Sequence, residues 1–148
     1  MDEQDAILRA LILSAAACGA AALLIGGWVS RVAGSYQDGD RRITLAQLGP
    51  LVWGQAMVPQ GMQAYRGIVL FGRLWLSRRE AGEGHLRGLG FTPQQVPWLR
   101  GQVTGSLALR RVADTLEGSF FGRKFSFDEE GIRRIEKLAP TPRVWQRL

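Results

Sequence analysis

From Ala10 to Val29 the chain runs twenty residues without a charge. At about 1.5 Å of rise per residue a helix of that length covers roughly 30 Å, the hydrocarbon thickness of a bilayer. A cleaved signal peptide wants a basic start and a shorter apolar core. Met1 to Arg9 instead sets Asp2, Glu3 and Asp5 against Arg9. A lipoprotein reading through Cys18 fails too, because the apolar run continues eleven residues past it. The run is therefore read as an uncleaved transmembrane helix, with a buried helix of a soluble core as the alternative. In 148 residues it leaves room for one small domain. The predicted order is an acidic N-terminal tail over 1–9, a transmembrane helix over 10–30, a linker over 31–40, a basic β-rich domain over 41–139 and a C-terminal tail over 140–148.

Within the span, Ser14, Cys18, Ala22, Gly26 and Ser30 recur at every fourth residue and line one side of the helix. Lipid tails give no hydrophobic drive for helix pairing, so close approach over small residues is the main route to it. The stripe is a candidate helix-packing face, and Cys18 reads as a small packing residue on it. Arg9 precedes the span, while Arg31, Arg41 and Arg42 follow it. That bias places the C-terminal domain in the cytoplasm by the positive-inside rule.

Beyond the span, Ala33 to Asp40 is rich in small and turn-forming residues and reads as linker. Gly67 to Ser77 is apolar on both alternating faces apart from Arg73 and Ser77, which suits a central strand. Gln102 to Val112 alternates, and a tight connection over 113–115 joins it to Leu116 through Phe127 as a hairpin. The doublet Phe120-Phe121 before Gly122 marks a bulge, and a weaker strand runs through Leu51 to Val58. Consecutive strands argue for an α+β fold, an antiparallel meander or partly open barrel. Thr92-Pro93 with Gln95 signals a short helix. Asp128, Glu129 and Glu130, followed by Ile132, Ile135 and Leu138 and closed by Pro140, predict a C-terminal helix covering the sheet. A phrase of Gly72-x-Leu-x-Leu recurs at Gly105 and is explained by two strands of one sheet sharing a composition.

The inventory of reactive groups is short. One Cys and one His exclude an intramolecular disulfide and the usual zinc and redox sites. Nucleophile-elbow, phosphate-loop and dinucleotide motifs are missing. His85 between glycines reads as an exposed loop residue, and Glu80 with Glu83 as a solvated turn. The chain is expected to be non-catalytic, without cofactor or metal. The first nine residues carry three acids and one Arg, so of the net charge of +6 the remainder holds +8. Such a surface seeks an acidic partner, and a bilayer tether argues against nucleic acid.

Three kinds of partner follow. Other membrane-protein subunits come first, met by the anchor stripe and by Trp145 in the basic tail. Anionic lipid headgroups come second, met by Arg31, Arg41 and Arg42. A second copy of the chain is a further candidate. The leading reading is a single-span accessory or adaptor subunit of a larger membrane assembly. The alternative is a membrane-tethered small β-barrel that binds an apolar ligand or lipid, with Trp53, Phe71, Trp75 and Phe125 lining its cavity.

Overall fold

The computed structural model describes residues 3–148; Met1 and Asp2 of the expected tail lie outside the described residues. Helix α1 spans Glu3–Val29, so it takes in most of the segment read as a tail. Acidic residues in the first turn of a helix suit the positive end of its dipole, which favours starting there. The stretch Gln4–Gly26 has a mean hydropathy of 2.1 over its most apolar part, none of which is buried. Leu11, Ile12, Leu13, Leu23, Leu24 and Ile25 are all exposed. The helix is long and apolar enough to cross a membrane.

Nine strands follow: β1 (Gly34–Asp38), β2 (Arg41–Leu48), β3 (Leu51–Val58), β4 (Gly61–Leu70), β5 (Arg73–Ala81), β6 (Val103–Val112), β7 (Thr115–Asp128), β8 (Gly131–Lys137) and β9 (Thr141–Arg147). Two short helices, α2 (Glu83–Gly88) and α3 (Val96–Leu99), lie between β5 and β6. Strands β1 to β7 pair antiparallel in chain order. Strand β9 then pairs with β7 on one side and β1 on the other, closing an antiparallel eight-stranded barrel. The outer half of β7 leaves the barrel and forms a hairpin with β8.

Closure is a matter of small residues at the corners. A Cβ on Gly67 would run into the Trp75 carbonyl of β5, and one on Gly118 into the Ala108 carbonyl of β6. Glycine at these two places lets neighbouring backbones approach and the sheet bend sharply. Alternate side chains then fill the interior: Ile43, Leu45, Val52, Tyr65, Val69, Leu74, Leu76, Leu107, Leu109, Leu116 and Trp145 are all buried. Trp145 sits between Tyr36 and Tyr65, with ring centroids 6.4 and 5.4 Å away. A second cluster, Leu86, Val96 and Leu99 with Phe91, Phe125, Phe127 and Ile132, ties α2 and α3 to the β7–β8 hairpin.

The barrel has two unlike ends. At the near end, where α1 arrives, lie the β2–β3, β4–β5 and β6–β7 turns and the C-terminus of β9. At the far end lie the β1–β2 and β3–β4 turns with α2, α3 and the β7–β8 hairpin.

Six sequence expectations are corrected by this architecture. The stretch 67–77 is not one central strand but the β4–β5 hairpin, turning at Phe71-Gly72. The doublet Phe120-Phe121 makes no bulge, because β6 and β7 keep one register through it. The segment 31–40 is not a free linker, because β1 lies in it with partners on both edges. The tail 140–148 contains β9, the strand that closes the barrel. The barrel is closed rather than partly open. The covering helix is absent: the Asp128 carboxylate accepts the backbone N–H groups of Glu130 and Gly131. Those bonds mimic a helix cap locally, but Gly131, at φ 141°, turns the chain back as a hairpin. Ile132 and Ile135 then pair with Phe127 and Phe125.

Candidate functional site

The joint between α1 and the barrel is built from the last turn of the helix and the β4–β5 turn. A Cβ on Gly26 would sit 3.1 Å from the Phe71 ring, so the glycine lets that ring pack closely against the helix. The Phe71 N–H donates to the Gly26 carbonyl at 3.4 Å, and the Gly72 N–H donates to Ser30 Oγ at 2.6 Å. Gln47 of β2 fastens the other side: its amide nitrogen donates to the Ser30 carbonyl and its amide oxygen accepts the Val32 N–H. Arg111 and Arg147 donate to the carbonyls of Arg31 and Ala33.

The predicted packing stripe is thereby split. Gly26 and Ser30 are buried against the barrel of their own chain, while Ser14, Cys18 and Ala22 remain exposed on the helix. Arg31 lies exposed at the near end. Arg41 and Arg42 begin β2 at the opposite end, an eight-residue strand away, which at about 3.3 Å per residue is roughly 25 Å. Their place next to α1 in sequence does not keep them next to it in space, because β1 first runs the length of the barrel. Trp145, expected in an exposed tail, is wholly buried. Its position alternates with exposed Val144 and Gln146 on β9, so its face is set by strand pairing.

Of the four aromatic residues read as a cavity lining, Trp53, Phe71 and Trp75 face outward, at 45%, 71% and 42% exposure. Phe125 packs in the second cluster. Trp53 faces Arg66 across β4, and Trp75 faces Ile68 and Ala108.

At the far end the interior turns polar. Glu80 is buried, with its Oε2 2.8 Å from His85 Nε2. Its Oε1 accepts from Gln63 Nε2 at 3.1 Å and lies 3.0 Å from Arg78 Nε. Gln63 Oε1 accepts from Arg41 and from the Tyr65 hydroxyl, and Arg41 reaches Asp38 at 3.0 Å. The Arg78 guanidinium stacks 4.2 Å over the Phe120 ring. Burial pushes the Tyr65 hydroxyl above its usual range and the Arg78 guanidinium below its own, the latter partly offset by the Glu80 charge.

A hollow of about 370 Å³ beside the cluster is lined by Glu80, Leu86, Val96 and Arg100 among others. Both Glu80 oxygens are engaged by protein groups, so neither is presented there as a free base. Among the described residues no group of three or more His, Cys, Asp or Glu side chains could hold a metal ion.

Glu80 and His85 are thus not the solvated turn and exposed loop that the sequence suggested. The signal was there for Glu80, since Leu74, Leu76, Arg78 and Glu80 continue one inward alternation along β5. His85 carried none, because only the fold of α2 brings it over the barrel mouth. No protein-family model, curated protein or solved structure matches the chain.

Proposed function

We propose that this chain is a non-catalytic, single-span accessory or adaptor subunit of a larger membrane assembly. Its anchor helix carries the contact within the bilayer, and its barrel is held as a rigid body at the membrane surface. One observation carries the reading: α1 is unburied over its apolar length, so the chain supplies no cover for the Ser14, Cys18 and Ala22 face. Small residues on a lipid-embedded helix allow close backbone approach by another helix. The barrel interior is occupied by the chain's own side chains, and the outward Trp53, Phe71 and Trp75 do not supply the lining that an apolar-ligand carrier would need.

The orientation we propose, with the barrel on the cytoplasmic side, is supported by Arg31, Arg41 and Arg42 following the span in sequence against Arg9 before it.

The test is native-membrane purification of tagged full-length chain in mild detergent. Wild type should retain a membrane-protein partner that Ala22→Leu and Cys18→Leu lose at equal recovery of the chain. Gly26→Leu belongs outside the comparison because it strikes the Phe71 joint. A chain that purifies alone, or equal retention by all variants, overturns the reading. For orientation, Asp40→Cys in a Cys18→Ala background should resist an impermeant thiol reagent on intact cells and react after lysis. Labelling of intact cells reverses the topology.

A further inference from the structure

We infer that the near end of the barrel is a second membrane-contact surface, which seats on the headgroup region of an anionic bilayer independently of any protein partner. The inference shares with the proposed function only the premise that α1 crosses a bilayer.

The first support is the joint. Gly26 lies three residues before the end of the uncharged run at Val29, and the Phe71 ring lies against it. The β4–β5 turn is therefore already at the level where the span ends. Ser30 is fixed to Gly72, and only residues 31–33 separate it from β1. No slack remains to lift the barrel away.

The second support is what the near end displays. Leu48 and Leu51 flank the β2–β3 turn, Phe71 tips the β4–β5 turn, Val112 ends β6 and Leu148 ends the chain. Their exposures are 70%, 54%, 71%, 37% and 60%. Four separate parts of the chain thus put apolar side chains into one end of the molecule. Tips of turns facing water are ordinarily polar, as in the Gly39-Asp40 and Pro59-Gln60 turns of the far end, where the exposed apolar residues Met57, Leu89, Ile135 and Leu138 lie off those two turn tips. A row above the rim, Leu51, Ile68 and Trp75 lie side by side on the outer face. Trp at that height matches the aromatic belt of membrane interfaces.

The third support is charge. Arg31, Arg73, Arg110, Arg111 and Arg147 are exposed around the same end, against Asp114 and Glu117. Arg73 and Arg110 stand directly opposite each other on β5 and β6. Like charges so placed repel; Glu117 stands opposite Arg110 on its other side, which leaves the row one net positive charge for an external anion. The shallow groove they border, about 240 Å³, also holds Trp75 and Glu117. Apolar tips inside a ring of arginines are complementary to acyl chains beneath phosphates, and α1 brings that surface against such a layer.

The experiment uses the full chain reconstituted in phosphatidylcholine vesicles, with and without phosphatidylserine, containing lipids with a quencher near the headgroup end of the acyl chain for the barrel labels and at its terminal end for the Cys18 label, which lies near mid-span. An environment-sensitive fluorophore is attached to native Cys18, or, in Cys18→Ala, to Leu48→Cys, Val112→Cys or Asp40→Cys. Retention of the barrel is verified by circular dichroism. Labels at 48 and 112 should be quenched several-fold more than the label at 40, and more strongly with phosphatidylserine present. Arg73→Glu with Arg110→Glu should remove that phosphatidylserine increment.

Quenching at Cys18 with labels at 48 and 112 as unquenched as 40 overturns the seating and leaves the spanning helix intact. No quenching at Cys18 overturns the shared premise and this inference with it. Quenching at 48 and 112 that ignores both lipid charge and the double substitution overturns the anionic specificity.

Discussion

Two tyrosines are the whole phenol complement of the chain, and both lie in the barrel. Burial raises the Tyr36 and Tyr65 hydroxyls above the usual value of 10.0. The fields of Arg147 and Arg111 at Tyr36, and of Arg78 and Arg41 at Tyr65, oppose that rise without cancelling it. The unfolded chain therefore ionises first as pH climbs. The stability these phenols contribute is complete below pH 10 and is lost as pH rises through their folded values. A phenolate absorbance titration of the native protein should show less than half ionisation at pH 10, followed by release of phenolate together with unfolding. Half-ionisation at pH 10 in a chain still folded by circular dichroism would contradict this placement of the two rings. Tyr36 donates to the Val32 carbonyl at 2.7 Å and Tyr65 to Gln63, so each neutral hydroxyl has an acceptor. Neither ring lies in a segment that the sequence reads as a strand: Tyr36 falls in the stretch read as linker and Tyr65 just before the stretch read as the central strand, yet they lie in β1 and β4.

Element by element, the helix-to-barrel joint is the feature that joins the two halves of the molecule. It depends on Ser30 accepting the Gly72 N–H and on Gln47 bridging Ser30 and Val32. Ser30→Ala removes one such acceptor. The expected cost is about 1 kcal/mol, seen as roughly five-fold faster hydrogen exchange at the Gly72 amide. Exchange at Leu74 and Leu109 in the core should stay unchanged; slowing, or no effect at Gly72, would deny the joint its role. The repeated phrase at Gly72 and Gly105 resolves at this scale too. β5 and β6 are antiparallel neighbours, with the Arg111 N–H donating to the Gly72 carbonyl at one end and Arg78 opposite Gly105 at the other. The two copies thus run in opposite directions, as expected of strands sharing a composition. The segment after Asp128 misled because a carboxylate that caps its own following N–H groups serves a helix and a turn alike.

For the whole molecule, the decisive strand is the last. β9 bridges β7 and β1 and carries Trp145 into the middle of the core. Trp145→Ala empties a buried aromatic site at a cost of about 3–5 kcal/mol. In a domain of this size that corresponds to a fall of about 10 °C or more in the unfolding midpoint. Deletion of 140–148 goes further, leaving two open strand edges and the core uncovered. The truncated chain should lose its cooperative thermal transition and aggregate in detergent. Retention of a sharp transition at the wild-type midpoint would mean that the barrel closes without β9.

The sequence alone determines the long apolar helix and the β6–β7 hairpin, because each is encoded by a period or a length within one short window, whereas the stretch 67–77, read as one central strand, is the β4–β5 hairpin. Twenty uncharged residues, alternation along 102–112 and a tight turn are local facts. Only the tertiary structure decides that the barrel is closed, that Trp145 is core, that Arg41 and Arg42 lie far from the helix, and that Glu80 and His85 meet. Each of these depends on which strands become neighbours and on which way they run. A strand carries the chain from one end of the barrel to the other, so residues close to α1 in sequence can end up a barrel's length from it. Pairing between β9 and β1 joins positions about a hundred residues apart, as Gln37 with Gln146, and no local window contains both.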